Sequence, residues 1–274
     1  MNQRPSAQSV FLEPCFNETV LSRATGFFVR SARGVSLITN RHVVTGRHNE
    51  TDLPLSEAAG LPNCLRARFH SWVRDQAGSV FTTEAEAVLA LVDGESRPLW
   101  REHSVHGATV DVIAIDADPG PEWPPLLVPT DESRLPVAVS ADVFVVGFPL
   151  CTSPQTNRLI ATWVRASIAS EPEHPLDGLP RFLVDARTRA GQSGSPVYAY
   201  SPGGATRMVD GAGAIETGFL DGPMQQLVGV YSGRTDVQSD LGYVWTLSCL
   251  QEVAVNGVRA EQSHYVDPPT SPDL

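Results

Sequence analysis

The chain has 274 residues, 42% hydrophobic and 19% charged, with 22 Gly and 22 Pro. That is enough chain for a real core in one two-lobed unit or two small domains, and its turn formers suit many short strands. A net charge of -11 and a pI near 5.0 argue against a surface built for nucleic acid or an anionic membrane. No stretch approaches the ~20 apolar residues of a membrane span, and residues 1–20 lack the basic head and apolar core of a secretory signal.

Residues 1–23 read as a lead-in segment and 24–119 as a first lobe. Thr25-Gly26-Phe27-Phe28-Val29 and Val35-Ser36-Leu37-Ile38-Thr39 are apolar runs joined by a short polar turn, a hairpin pattern. Asn40-Arg41-His42-Val43-Val44-Thr45 follows at once, so His42 falls where a buried strand ends and the chain turns. After a polar insertion over 49–62, residues 64–69 and 85–92 read as strands, the second against a competing helical propensity. Residues 100–107 read as a loop in which His103 and His106 are solvated, since no Cys or acid stands at metal-ligand spacing. Thr109-Val110-Asp111-Val112-Ile113-Ala114-Ile115 places a carboxylate at the mouth of an otherwise apolar strand, where it needs a partner.

Residues 120–139 are proline-rich and read as the connection to a second lobe over 140–257. Strands are expected near 143–148, 158–169, 181–185, 195–200, 226–232 and 242–247, one barrel's worth, with a glycine-rich excursion over 203–222. Ser248 followed by Gln251 resembles a capping box, Gly257 would stop a short terminal helix, and 258–274 reads as a polar tail.

The stretch richest in chemistry is Arg189-Ala190-Gly191-Gln192-Ser193-Gly194-Ser195-Pro196. A serine hydroxyl is a poor nucleophile unless a base takes its proton and donors wait for the charge that develops on the attacked carbonyl. Gly191 and Gly194 allow a turn tight enough to point the amides of Gly191 and Ser193 into one small space. Alone, the octapeptide could equally be an ordinary Gly/Ser/Pro turn, so its meaning depends on a base and an orienting acid elsewhere.

Taken together, the three pieces resemble the chymotrypsin-fold (trypsin-like) serine peptidases, particularly the bacterial branch of glutamyl endopeptidases and HtrA proteases, here without a PDZ domain. They come in that family's order, His, Asp, Ser. Val143-Phe144-Val145-Val146-Gly147-Phe148-Pro149 looks like the strand that opens the second barrel, and Leu227-Val228-Gly229-Val230-Tyr231-Ser232-Gly233 like the one that lines the substrate cleft. The resemblance implies an all-β fold of two six-stranded antiparallel barrels with a short C-terminal helix. It also implies a triad of His42, Asp111 and Ser193, an oxyanion hole of the Gly191 and Ser193 amides, and no metal or organic cofactor. Asp93, Asp116 and Asp118 are the competing acids, less well set in their turns or at the far end of the strand.

Where the animal enzymes carry an aspartate before the serine, this chain has Gln192, which cannot capture a new amino terminus. The hole is therefore either preformed or ordered by an activating protein partner. By the same resemblance the first substrate pocket is lined by Arg187, Ala190, Tyr231, Ser232 and Gly233. Arg187 or Arg189 turned inward would favour an acidic side chain, whereas arginines turned outward leave an apolar or small pocket. Cys15, Cys64, Cys151 and Cys249 are scattered and read as reduced thiols, which with the absent signal points to the cytoplasm. Two functions are carried forward: an intracellular endopeptidase acting on a protein or peptide substrate, and a catalytically silent double-barrel scaffold.

Overall fold

A computed structural model describes residues 4–55, 60–74, 80–117, 126–127, 135–149, 159–210, 213–236 and 238–261. Cys151, Asp118, most of the 120–139 connection and the tail beyond 261 lie outside the described residues.

The chain opens with α1 (Arg4–Gln8), β1 (Ser9–Phe16), β2 (Thr19–Val20), β3 (Ala24–Ser31), β4 (Gly34–Thr39) and α2 (Arg41–Thr45). Then come β5 (Cys64–Arg74), β6 (Val80–Ala90), β7 (Trp100–Glu102), β8 (Ile113–Asp116) and β9 (Leu126–Leu127). The second lobe holds β10 (Asp142–Gly147), β11 (Thr162–Ile168), β12 (Arg181–Ala186) and β13 (Pro196–Ser201). It continues with β14 (Gly204–Val209), β15 (Ile215–Leu220), β16 (Met224–Arg234) and β17 (Leu241–Thr246), and α3 (Leu247–Val255) and β18 (Val258–Arg259) end the described fold.

In the second lobe β10-β11-β12-β17-β16-β13 close into a six-stranded antiparallel barrel. The first lobe is a curled ten-stranded sheet whose main path runs β18-β7-β8-β4-β3-β1-β5-β6, with β2 on β1 and β9 parallel to β3. That path has two ends, so among the described residues hydrogen bonds close only the second lobe into a ring.

The lobes share a core, which explains the unbroken apolar runs. On β3, Phe27 and Val29 face the interlobe cluster with Val146, Leu227, Val230 and Trp245, while Phe28 faces the first lobe's own core with Leu12, Leu37 and Leu65. A strand between two cores has no wet face, so it shows no polar alternation. The approach to β8 behaves alike: Val110, Val112 and Ala114 point to the shared core, Ile113 and Ile115 to the first lobe. α3 lays Cys249, Leu250, Val253 and Ala254 on the same shared core.

Several local expectations change. The lead-in supplies a strand of the first lobe, β1 lying between β3 and β5 in the sheet. Tertiary pairing settles β6 as strand: Leu65, Ala67 and Phe69 of β5 and Ala85, Ala87 and Leu89 of β6 turn one face to the core. The excursion over 203–222 contains the two-stranded hairpin β14–β15, set apart from the barrel. The α3 cap is Thr246, whose hydroxyl accepts from the Cys249 amide at 3.3 Å, and not Ser248. The tail's first residues, β18, pair with β7.

Candidate active site

β4 ends at Thr39 and the chain turns straight into α2, with Asn40 extended at its N-cap and Gly46 left-handed (φ 66°) at its C-cap. The turn presents His42 towards Asp111, whose carboxylate is buried in the loop before β8. Asp111 accepts the His42 backbone N–H at Oδ1 (2.9 Å), and its Oδ2 lies 2.6 Å from His42 Nδ1. The Ser232 hydroxyl donates to the same Oδ2 at 2.5 Å, and Asn40 Nδ2 donates to the Asp111 carbonyl at 2.6 Å. A buried ion pair, Arg41 Nε to Glu102 Oε1 at 2.8 Å, ties α2 to β7, and Trp100 Nε1 donates to the same oxygen. The competing acids are engaged elsewhere: Asp116 with Arg101, Asp93 with Arg97 and Arg259.

The serine stands on two successive tight turns. Gln192 N donates to the Arg189 carbonyl (3.2 Å) and Ser195 N to the Gln192 carbonyl (3.0 Å). The third residues of these turns, Gly191 and Gly194, have φ of 95° and 81°, the type II geometry that only glycine adopts without strain. A side chain at Gly194 would also overlap the Thr25 carbonyl and the Thr39 hydroxyl. Gln192 is fully buried, and its Oε1 accepts the Arg189 amide (3.1 Å), so a neutral side chain braces the turn from inside.

The two lobes meet at this turn. Thr25 N donates to the Ser193 carbonyl (2.9 Å), Gly194 N to the Tyr231 carbonyl (2.9 Å), and Tyr231 N to the Ser195 carbonyl (2.9 Å). The Ser193 hydroxyl donates to the Ser232 carbonyl at 3.3 Å rather than to His42. Catalytic hydrogen bonds in unliganded sites are often formed only once substrate is bound. Through Ser232 the structure thus connects Ser193, Asp111 and His42. Ser232 enters the site as the partner of Asp111, a role its apolar-strand setting does not announce.

The pocket residues divide. Of the two orientations open to Arg187, the outward one is found: its side chain is 84% exposed and faces Asp240 at 3.8 Å, because the chain leaving β12 keeps alternating and turns Asp185 and Arg187 out, Ala186 and Thr188 in. Arg189 is exposed as well, its guanidinium donating to the Thr188 carbonyl. Between them Thr188 is buried and its hydroxyl meets the Tyr231 phenol. The Tyr231 ring also covers Gly242, where any side chain would collide with it. Burial pushes the phenol up to about 12, against smaller opposing effects of Thr188 and Arg234. Ala190 is exposed, and Gly233 stands at a bulge of β16 with φ 151°.

His103 also departs from expectation. It is buried, its Nδ1 accepts the Val105 and His106 amides (3.2 Å each), and the His106 ring packs against it. Its Nδ1 thus caps the turn, and desolvation lowers its pKa. No group of three or more His, Cys, Asp or Glu that could hold a metal occurs among the described residues. Cys15, Cys64 and Cys249 are free thiols, and no helix among the described residues is long and apolar enough to cross a membrane.

The family model of the trypsin-like peptidase domain matches residues 24–203, from β3 through the serine turn to the end of β13. The chain belongs to the trypsin-like peptidase domain family, and its double-lobed fold is that of the chymotrypsin-like serine proteases. Among solved structures it is similar to the active form of Rv3671c protease from M. tuberculosis, at 19% identity and a TM-score of 0.46 over 95% of this chain and 86% of that one. It is similar to protease Anisep from Arthrobacter nicotinovorans at 11% identity and a TM-score of 0.49, covering 93% of this chain and 96% of that one. The thermostable serine protease AL20 from an extremophilic microorganism gives 11% identity and a TM-score of 0.44, over 91% and 94%. A sequence comparison with curated proteins finds no match.

Proposed function

We propose that this chain is a serine endopeptidase acting on a protein or peptide substrate inside the cell. The observation that carries the reading is the Asp111 carboxylate, which bonds both His42 Nδ1 and the hydroxyl of Ser232, the residue whose carbonyl holds the nucleophile's hydroxyl. With its Nδ1 proton directed at Asp111, the His42 ring offers Nε2 as base. Ser193 Oγ attacks the scissile carbonyl as Nε2 takes its proton, and the imidazolium, stabilised by Asp111, passes that proton to the leaving amine. Water then repeats the sequence on the acyl-enzyme. The Gly191 and Ser193 amides receive the oxyanion, a contribution of about 10²- to 10³-fold in turnover per donor.

The hydroxyl floor of Thr188 and Tyr231 supports a first pocket for a short side chain, because the phenol occupies the space over Gly242. An intracellular setting is supported by the free Cys15, Cys64 and Cys249.

The test is intact-mass labelling with a fluorophosphonate beside a Ser193→Ala control, followed by cleavage of a peptide library. One phosphonyl group on the wild type alone, and cleavage after short residues, is the expected result. A silent scaffold is the second reading, favoured by the Ser193 hydroxyl resting on Ser232; labelling that appears only with added cell lysate would point to a hole ordered by a partner, and failure to label under both conditions would favour the scaffold.

A further inference from the structure

Thr25 lies on β3 of the first lobe and makes more contacts at the serine turn than a structural strand residue needs. Its amide donates to the Ser193 carbonyl at 2.9 Å. Its hydroxyl donates to the Gly191 carbonyl at 2.8 Å and accepts the Phe148 amide, at the end of β10, at 3.0 Å. Its own carbonyl accepts the Thr39 hydroxyl at 2.8 Å, three residues before His42. Thr25 is fully buried, so none of these bonds is shared with solvent.

We propose that Thr25 is a positioning residue that sets the oxyanion donors and Ser193, which belong to the second lobe, in register with His42 and Asp111, which belong to the first. This rests on the peptidase reading above. The Gly191 carbonyl and the Gln192 amide share one peptide plane, and the Gln192 carbonyl and the Ser193 amide share the next. Bonding the Gly191 and Ser193 carbonyls to one side chain and its own amide therefore fixes the peptide plane that follows each donor residue, and with it the residue that carries the donor. The Thr39 bond extends that hold to the strand from which His42 emerges. Close packing enforces it: a side chain at Gly147 would overlap the Thr25 and Ser195 hydroxyls, and one at Gly194 would overlap the Thr25 carbonyl. Neutral hydroxyl bonds supply the brace, beside a buried Gln192 that carries no charge. The hole is thus assembled by the fold itself, and the lobe interface, through Thr25, is what assembles it.

Thr25→Val keeps the shape and removes the hydroxyl, whereas Thr25→Ser keeps the hydroxyl and removes the methyl. Thr25→Val is expected to slow fluorophosphonate labelling and kcat by about tenfold or more with KM changed by less than about threefold, since only the geometry of the transition state is disturbed. Thr25→Ser should return to within about threefold of wild type, which a loss of packing would not allow. Amide hydrogen exchange over residues 187–196 is followed in the same three proteins: Thr25→Val should speed it and Thr25→Ser should not. Unchanged exchange and labelling in Thr25→Val, or equal defects in both variants, would overturn the assignment. If the wild type itself fails to label, the peptidase reading falls, and the exchange measurement alone still decides whether Thr25 holds the turn.

Discussion

Replacing Asp111 by Asn is the most searching perturbation of the site. The carboxylate accepts the His42 N–H, the His42 Nδ1 proton and the Ser232 hydroxyl, at 2.9, 2.6 and 2.5 Å, and its side chain is only 5% exposed. An amide of the same shape has one acceptor oxygen where two oxygens are in use. If that oxygen stays with the backbone amide, the NH2 group faces Nδ1 and Ser232, and the ring must protonate on Nε2, the nitrogen needed as base. If the amide turns over, the His42 backbone N–H loses its acceptor. In other proteases of this mechanism the wrong tautomer costs about 10⁴-fold in kcat, or about 5.5 kcal/mol of barrier. Ser232→Ala removes a single charge-assisted bond, worth about 1.5–3 kcal/mol, and should cost between roughly ten- and a hundredfold. Turnover of a peptide taken from the library, with the melting midpoint as a check on folding, measures both. A folded Asp111→Asn enzyme that kept more than a tenth of its kcat would refute the orienting role, and Asp93 and Asp116, already paired with arginines, could not explain the survival.

Arg187→Ala should leave cleavage preference unchanged in a library profile, because the side chain is 84% exposed; a new preference would put the guanidinium back in the pocket. Arg181 joins the lobes through Glu50 (2.6 Å), and is held within its own lobe by Asp177 (3.0 Å) and the Tyr243 ring, with its side chain 6% exposed, so Arg181→Ala should cost about 2–4 kcal/mol in urea unfolding. Glu50→Gln, at the wetter end of that pair, should cost less than about 1 kcal/mol. Burial depresses the folded-state pKa of His103 below its ordinary 6.5, so the folded state resists its protonation. Its contribution is present above pH 6.5 and lost as pH falls towards the depressed value; a His103→Gln variant should lose less stability between pH 7 and 5 than wild type.

Much of the site is legible in the residues themselves. Asn40-Arg41-His42 after an apolar run, Asp111 amid apolar neighbours and glycines on both sides of Ser193 are local signals, because buried strands, unpaired acids and positive-φ turns each constrain the residue type at one position. The six strands of the closed barrel are legible for the same reason. The hairpin β14–β15 escapes because its strands pair with each other and only Leu220, at the end of β15, packs on the barrel core, which leaves no alternating core face to pattern them. Thr246 rather than Ser248 caps α3 because Trp245 is drawn into the shared core and sets where the helix begins.

Which residues are present at the site, and in what order, the sequence by itself determined. What only the tertiary structure decided is which of them meet: that Ser232 completes the Asp111 shell, that Thr25 spans the lobes, and that Arg187 faces solvent while Thr188 and Tyr231 face inward. These are contacts between residues far apart in the chain, Thr25 and Gly191 lying 166 residues apart. Spacing along a chain carries no trace of such pairings, since they exist only once two cores have packed against each other and fixed which side of each strand is within.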